Sequence, residues 1–356
     1  MVRIDGSQGE GGGQILRTAL TLSMLTGVPF EIYNIRARRS NPGLMPQHLV
    51  SVRAAAHITS ASVNGAEKGS MQLYFEPQHP KPGNYHFDIG TAGAISLVLQ
   101  TIAYPLAFCR LSSQITITGG THVPWSPSFH FLDMHWRPIM EKLGFHFSLQ
   151  LKRAGFYPKG GGEVSLRVYP CSEVRSLVLR ERGELLRVEG ISAIANLDPE
   201  VGYRQKRRAE ERLTEKALAH QIQFIKMPAV GKNTLMLLLA HFQYAQLAYE
   251  SLGAIGKRAE KVADEACDAL FAALKTPATL DEHLADQLLL PLSFTSQRSE
   301  FIVPKITGHI QTNAEIIQEF LPVQINIIPI ADSSAIIQVQ GIDFKSTKSE
   351  KINQMR

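Results

Sequence analysis

A histidine near the end of the chain stands in a setting suited to phosphoryl chemistry. His309 follows Gly308 between a predicted strand and a predicted helix. The N-terminus of a helix disfavours a charged imidazolium, so a histidine there tends to stay neutral and nucleophilic. The same helix end accepts a phosphate. A single loop histidine among twelve is more often a surface or structural residue. The position alone therefore leaves both interpretations open.

A second candidate, Glu10, lies in a glycine-rich stretch at residues 4–20 that leads into an apolar helical pattern. Glycines permit positive φ and close approach to the backbone, so such a turn before a helix can hold an anion. Glu10 would repel a phosphate unless a divalent cation lay between them, whereas Arg17, one turn into the helix, could face that anion. The stretch matches neither of the usual nucleotide-binding fingerprints. A tight turn that uses its glycines only for packing remains the alternative.

Composition describes a soluble globular protein with room for two domains. The 356 residues are 44% hydrophobic and 19% charged, and the net charge of +5 agrees with a polyanionic partner without requiring one. The three cysteines lie far apart without metal-ligand spacing, which favours reduced thiols in a cytoplasmic protein. No secretory signal is visible, and the most apolar segment, residues 94–108, is shorter than the ~20 residues that span a bilayer. We therefore expect no membrane association.

Short strands, followed by a glycine turn and a helix, recur along the chain, which is typical of repeated units. The expected fold is α/β of the α+β type: a large domain of repeated units, each a β-sheet with two helices, and a smaller inserted α/β domain. The large domain covers residues 1–180 and 276–342, and the inserted domain covers 181–275. Residues 343–356 form a charged tail that we expect to be flexible.

Two helices of this scheme carry predictions of their own. Residues 200–220 form a strongly charged helix in which basic and acidic residues interleave. This pattern favours a solvent-exposed helix face over a helix that binds in a nucleic-acid groove. Residues 314–320 form a second helix, with Thr312 or Asn313 as its N-cap, which leaves His309 in the loop before it.

Several long motifs occur in a fixed order along the chain. They occupy residues 5–17, 35–39, 42–44, 120–127, 155–162, 284–287 and 308–313. In this order they resemble the RNA 3′-terminal phosphate cyclases, and the resemblance covers nearly the whole chain, from Val2 to about Ile342. It is to the branch of that family that contains the catalytic histidine.

The resemblance implies an ATP-dependent enzyme, a ligase that forms a phosphoric ester bond. In this family a histidine attacks the α-phosphate of ATP and becomes linked to AMP, releasing pyrophosphate. AMP then passes to an RNA 3′-phosphate, giving RNA-(3′)pp(5′)A. The neighbouring 2′-hydroxyl attacks this activated phosphate, which yields a 2′,3′-cyclic phosphate and free AMP. The expected partners are thus ATP and RNA with a 3′-terminal phosphate.

The resemblance also implies roles for individual residues. His309 would be the nucleophile, and Glu10 would hold Mg²⁺ or Mn²⁺. The adenosine site would be lined by Gln100, Pro127, His283, Leu284, Ala285, Asp286 and Gln287. The phosphates of ATP or the RNA end would face Arg17, Arg36, Arg39 and Gln47. His283 departs from the family pattern, since many relatives have a tyrosine there. An imidazole can still stack on a purine, so we expect a weaker and pH-sensitive adenosine contact, unless His283 is merely a partly exposed residue at a helix start.

Three alternatives differ in class from this hypothesis. Some relatives lack the catalytic histidine and act in ribosomal RNA processing, and the presence of His309 argues against that function. An enolpyruvyl transferase would share a fold of repeated α/β units but would need neither this histidine nor the inserted domain. A plain RNA-binding protein fits the basic loop at residues 36–39 but leaves Glu10 and His309 without a role. For the inserted domain we expect either RNA handling or the contacts of a homodimer.

Overall fold

A computed structural model describes residues 1–330 and 333–343 of the chain. The tail predicted at 343–356 lies outside the described residues except for its first position. The described part contains four mixed sheets of four strands each, with helices packed on them. The predicted fold class, α+β with repeated units of one sheet and two helices, is confirmed.

Three of the sheets belong to units that share one element order, β-α-β-α-β-β. Unit 1 contains β1 (Val2–Asp5), α1 (Gly13–Thr26), β2 (Phe30–Tyr33), α2 (Pro46–Thr59), β3 (Ser62–Asn64) and β4 (Leu73–Glu76). Unit 2 contains β5 (Asn84–Asp88), α3 (Ile95–Ala107), β6 (Ser113–Gly119), α4 (Phe129–Phe131) with a π-helical turn (Leu132–Trp136) and α5 (Arg137–Leu143), β7 (Phe147–Arg153) and β8 (Gly162–Val168). Unit 3 contains β9 (Val178–Leu179), α8 (Glu282–Leu292), β14 (Ser299–Val303), α9 (Gly308–Phe320), β15 (Gln324–Pro329) and β16 (Ala335–Gln340).

Strand order within the three sheets is also the same. The first two strands of each unit pair in parallel, and the last two complete the sheet by antiparallel pairing, with the fourth strand between the second and the third. A parallel pair needs a crossover, and the first helix of each unit provides it. The second parallel strand of each unit leads directly into a helix N-terminus, and in units 1 and 2 the first parallel strand does so as well.

The inserted unit, residues 185–274, lies between β9 and α8 and interrupts unit 3. It consists of β10 (Leu185–Ala195), α6 (Pro199–Thr214), β11 (His220–Lys226), β12 (Asn233–Phe242), β13 (Gln246–Leu252) and α7 (Ala259–Leu274). Its strand order, β11-β10-β12-β13, differs from that of the three units. These elements fall within the predicted range 181–275, whose separate folding as a domain stays a prediction.

Both faces of the inserted sheet are buried. Leu238 lies in a cluster under α6 and α7, whereas its neighbour Leu237 faces the opposite way and joins the main core of the protein. Adjacent residues of a strand point to opposite faces, so one strand can serve two cores. The inserted unit thus packs against the three units directly.

The charged helix α6 uses its arginines for pairing with α7. Arg204 contacts Glu260 at 2.8 Å, and Arg212 contacts Asp264 and Asp268, each at 2.7 Å. These contacts agree with the prediction of a helix face rather than a nucleic-acid reader. The predicted length of this helix is wrong, because it ends at Thr214 and residues from His220 form β11.

The predicted helix at 314–320 is also wrong in its start. Helix α9 begins at Gly308, and its N-cap is Thr307, whose hydroxyl accepts a hydrogen bond from the amide of Ile310 at 3.2 Å. The side chains of Thr312 and Asn313 contact other parts of the chain instead of capping the helix. Within residues 1–330 and 333–343, no helix has the length and apolar character needed to cross a membrane.

Candidate active site

A cavity of about 840 Å³ lies where the three units meet the inserted unit. Its wall combines residues from α1, α3, the loop before α4, β13 with the loop that follows it, α8 and α9. Seven of the residues selected from the sequence line it: Arg17, Gln100, Pro127, His283, Asp286, Gln287 and His309. These residues come from distant parts of the chain, and the repeated units bring them together.

His309 lies in the first turn of α9, and its side chain is 47% exposed toward the cavity. Its Nδ1 is 3.2 Å from Oε2 of Glu10. Burial lowers the pKa of His309, and the Glu10 carboxylate opposes this shift without reversing it. The ring is therefore neutral near pH 7. The Glu10 carboxylate near Nδ1 favours the tautomer with its proton on that nitrogen, which leaves the lone pair on Nε2 for attack.

Glu10 is held beside His309 by its own loop and by α9. Its amide donates to Oγ1 of Thr312 at 3.1 Å, and its carboxylate pairs with Arg39. A Cβ on Gly9 would lie 2.2 Å from Oγ1 of Thr312, and a Cβ on Gly12 would lie 2.6 Å from Oε2 of Glu10. Because these glycines have no side chain, the loop can lie close to α9, and this places Glu10 beside His309.

Arg17 and Asp286 both line the cavity and attract each other electrostatically. Burial lowers the pKa of Arg17 to about 10, against the attraction of Asp286 and Glu10. Burial likewise raises the pKa of Asp286 to about 8, against the attraction of Arg17. Near pH 7 Arg17 is charged and the Asp286 carboxyl is protonated. The net charge of this pair is positive, which favours an anionic ligand.

The side chains predicted to contact adenosine form a connected group. The amide nitrogen of Gln100 donates to Oε1 of Gln287 at 2.5 Å, and Gln287 donates to the carbonyl oxygen of His283 at 2.6 Å. The His283 ring is 64% exposed, in keeping with a contact that a ligand would complete. Pro127 lines the same cavity from the loop before α4. Apolar and amide groups therefore converge on one wall, as in small-molecule sites.

A buried contact fixes the start of α8. The carboxylate of Asp281 caps this helix by accepting from the amides of His283 at 3.1 Å and Leu284 at 2.8 Å. Its other oxygen lies 2.6 Å from Nε2 of His135. Burial raises the pKa of Asp281, but His135 beside it outweighs burial, and the net shift is downward. Asp281 thus stays ionised and orients the helix that carries His283.

Six of the selected residues are not part of the cavity wall: Glu10 and Arg39, which pair with each other beside His309, and four others. Leu284 and Ala285 are fully buried in the core. Arg36 donates to backbone carbonyl oxygens of its own loop, and Oε1 of Gln47 accepts from the amide of Ala94 at 3.1 Å. The structure therefore gives these four residues packing or backbone contacts, and their roles toward ligands stay predictions.

Residues of the inserted unit complete the cavity, and no sequence motif indicated them. Tyr249 donates from Oη to Oε2 of Glu282 at 2.9 Å, and Glu250 accepts from the amide of Ser128 at 2.9 Å. Lys257 also lines the wall. A strand residue such as Tyr249 sits in an ordinary alternating pattern, so the sequence offers no local signal for its place in the site.

Known proteins resemble this chain over nearly its whole length. A model of the family "RNA 3′-terminal phosphate cyclase" matches residues 8–327. The RNA 3′-terminal phosphate cyclase of Pyrobaculum aerophilum is 42% identical over 345 residues, with 96% of this chain and 99% of that protein covered. The protein of the same name from Nostoc punctiforme is 42% identical over 349 residues, with 96% and 99% covered. The one from Caldivirga maquilingensis is 44% identical over 328 residues, with 90% and 93% covered.

The chain belongs to the RNA 3′-terminal phosphate cyclase family. The resemblance inferred from the motifs is thereby confirmed, and with it the prediction that the chain is an enzyme of this family. A solved structure, the enolpyruvyl transferase NikO from Streptomyces tendae, is 10% identical with a TM-score of 0.22, over 96% of this chain and 82% of that one. That likeness is too weak to indicate a shared fold.

The donor set of this cyclase-family site is sparse for a metal ion. Within the described ranges, no group of three or more His, Cys, Asp and Glu side chains could hold a metal. Mg²⁺ commonly binds through one or two carboxylates, with substrate phosphates and water as the other ligands. Glu10 fits that mode, because it is the carboxylate beside His309. The metal-binding role of Glu10 stays a prediction.

Proposed function

We propose that this protein converts an RNA 3′-terminal phosphate to a 2′,3′-cyclic phosphate in an ATP-dependent reaction, through an AMP–His309 intermediate and an RNA-(3′)pp(5′)A intermediate. The observation that carries the proposal is the neutral His309 in the cavity, with Glu10 at its Nδ1. This geometry supports a nucleophilic histidine, and family membership supports the RNA substrate.

In the first step Nε2 of His309 attacks the α-phosphorus of ATP. A nitrogen–phosphorus bond forms, the bond to the bridging oxygen breaks, and pyrophosphate leaves with that electron pair. The imidazole ring gains positive charge, which the Glu10 carboxylate at Nδ1 balances. Arg17 in the cavity wall offsets the negative charge that builds up on the phosphate oxygens.

In the second step an oxygen of the RNA 3′-phosphate attacks the AMP phosphorus. The nitrogen–phosphorus bond breaks, and its electron pair returns to Nε2 of His309. The 2′-hydroxyl then attacks the RNA phosphorus and loses its proton to solvent, AMP leaves with the electron pair of its P–O bond to that phosphorus, and the cyclic ester closes. The phosphate-linked AMP makes a better leaving group than the unactivated phosphate oxygen, which explains the need for ATP.

Recognition of ATP falls to the wall that contains Gln100, Gln287, Pro127 and His283. The two amide side chains contact each other at 2.5 Å, and rearranging them would expose donors and acceptors to a purine. Mg²⁺ or Mn²⁺, held by Glu10, would supply further charge stabilisation when bound. Arg39, which pairs with Glu10, would face the phosphates.

Labelling with α-³²P-ATP and Mg²⁺ tests this proposal. We expect acid-labile, hydroxylamine-sensitive label on the wild-type chain and none on His309→Ala. His130→Ala is the matched control, since His130 occupies the first turn of α4, the equivalent place in unit 2. The label should then pass to RNA ending in 3′-phosphate and not to RNA ending in 3′-hydroxyl. An unlabelled wild type, or equal labelling of His309→Ala, overturns the mechanism.

The predicted cytoplasmic location and homodimer stay predictions.

A further inference from the structure

Trp125 combines two features that are rare for a tryptophan. Its side chain is 98% exposed, and its backbone lies in the left-handed region, with φ of 66°. Tryptophan is highly buried on average, and positive φ in a bulky residue is an outlier that costs about 1–3 kcal/mol. Such strain persists only where the surrounding structure fixes it, and it clusters at ligand sites.

The loop around Trp125 is held on both sides. Oγ of Ser126 donates to the carbonyl oxygen of Val123 at 3.1 Å. The amide of Ser128 donates to Oε1 of Glu250 at 2.9 Å, and the Ser128 hydroxyl donates to Oε2 at 2.5 Å. These contacts tie the loop to itself and to the inserted unit. These contacts therefore hold the loop that presents the exposed indole.

Trp125 lines the cavity that also contains His309. Pro127, two residues further on, is the residue expected to contact adenosine. The cavity volume of about 840 Å³ lies near the upper end of the ~300–1,000 Å³ common for small-molecule sites, so it has room beyond an adenosine. Lys257 and Lys305 line the same cavity, paired with Glu265 and Glu282, and Arg17 adds a positive charge to its wall. An aromatic face beside basic groups is the usual equipment for binding single-stranded RNA.

We propose that Trp125 is a stacking platform for the base of the terminal nucleotide of the RNA substrate. This inference rests on the proposed function and deepens it by assigning the RNA side of the cavity. Each of the four bases has a π face, so such a contact holds the RNA end without selecting its sequence. The terminal phosphate can then reach His309 whatever the last base is.

Intrinsic fluorescence reports this contact directly, because the chain has only two tryptophans. The other, Trp136, is 0% exposed, so quenching by iodide reports on the emission of Trp125. We expect a short RNA with a 3′-phosphate to quench the emission of His309→Ala protein, which cannot turn over, and to protect it from iodide. The same RNA with an abasic terminal nucleotide should do neither. Adding Trp125→Phe to this protein should remove the signal.

Kinetics separate a contact to RNA from a contact to ATP. Trp125→Ala should raise the KM for RNA roughly 5- to 140-fold, equivalent to the ~1–3 kcal/mol of one base–aromatic stack, and Trp125→Phe should largely retain the wild-type KM. Labelling of Trp125→Ala by ATP should match wild type. The control is Tyr244→Ala, which removes an exposed aromatic side chain outside the cavity wall; its KM should not change.

Two results overturn the inference. An equal loss of ATP labelling in Trp125→Ala would assign the indole to adenosine. An unchanged KM together with unquenched emission would leave Trp125 without a ligand. Failure of the proposed function looks different, because wild-type protein would then take no label from ATP while the fluorescence titration still reports whether RNA reaches Trp125.

Discussion

Each of the three units carries a histidine in the first turn of its second helix, and only one of them faces the cavity. His48 of unit 1 is buried, and its Nδ1 accepts from the amide of Met45 at 3.1 Å. His130 of unit 2 lies 2.8 Å from Nε2 of His122. His309 of unit 3 faces the cavity, with Glu10 at its Nδ1.

Burial lowers the pKa of all three, to about 3 for His48 and about 4 for His130. A neutral imidazole at a helix N-terminus is thus common to the repeat, and neutrality alone does not make a nucleophile. The difference lies in access and in the group beside Nδ1: a backbone amide donates to His48, whereas a carboxylate oxygen lies 3.2 Å from Nδ1 of His309. The proposed reactivity of His309 in unit 3 therefore rests on its surroundings.

The first helices of the units differ as well, and this difference predicts the largest effect on stability. The N-caps of α1 and α3 make no side-chain hydrogen bond, whereas Asp281 caps α8 and contacts His135. Asp281→Ala removes the cap and the carboxylate beside Nε2 of the buried His135, which keeps only its Nδ1 contact with Gln246. We expect a loss of about 3–5 kcal/mol in the free energy of unfolding, measured in urea.

Asp198→Ala is the control for that loss. Asp198 caps α6 by accepting from the amide of Glu200 at 2.9 Å, but it is exposed. Its removal should cost about 1 kcal/mol. Should Asp281→Ala fail to fold, Asp281→Asn keeps the cap and still loses the charge beside His135. Equal, small losses at both aspartates would show that the buried contact in unit 3 adds nothing.

Glu10 is the second way to test what distinguishes unit 3. Glu10→Gln keeps the shape of the side chain but removes the charge at Nδ1 and the predicted metal ligand. We expect ATP labelling to fall at least about 10-fold and to require more Mg²⁺, with an unchanged melting temperature. Glu31→Gln, which removes an exposed ion pair with Arg3, should label like wild type. Normal labelling of Glu10→Gln across a Mg²⁺ titration would instead support the alternative, that the glycine-rich stretch is a tight turn whose glycines serve only packing.

Most of the site was predictable because motifs of neighbouring residues carry it. The glycine motif around Glu10 and the pair Gly308–His309 can each be recognised from adjacent residues in the sequence. His309 lines the cavity, and Glu10 lies beside it. What brings them together is the contact of Glu10 with Thr312, across a separation that no local pattern encodes. Thr312 resembled an N-cap in the sequence because threonine is a favoured N-cap residue. In the structure its hydroxyl contacts a distant loop instead.

The contribution of the inserted unit to the cavity could not be predicted from the sequence. Its range was visible from a change in composition, but its contribution to the cavity was not. Tyr249 and Lys257 take their place in the wall because the inserted sheet buries its second face against the main core. That packing depends on shape complementarity between two distant surfaces, which composition and periodicity do not describe.

Asp286 tests the contact between α8 of unit 3 and α1 of unit 1. Its pKa is raised to about 8 in the folded protein, from an ordinary value of 3.8, so the folded form holds a proton that the unfolded chain has lost. Stability should therefore fall as pH rises from about 4 to 8. Asp286→Asn should lack this slope. A difference in unfolding free energy between the two proteins that stays constant from pH 5 to pH 8 would contradict the raised pKa.

Thr307 predicts the smallest effect and tests where the helix of the reactive histidine begins. Because α9 starts at Gly308, Thr307→Ala should remove a cap and lower the free energy of unfolding by about 1 kcal/mol. Thr307→Ser keeps the hydroxyl that accepts from the amide of Ile310 and should restore most of the loss. If the helix began only after Asn313, Thr307→Ala would stay within about 0.5 kcal/mol of wild type, as for an ordinary surface position. In that case His309 would sit in a loop, and the equivalence with His48 and His130 would fail.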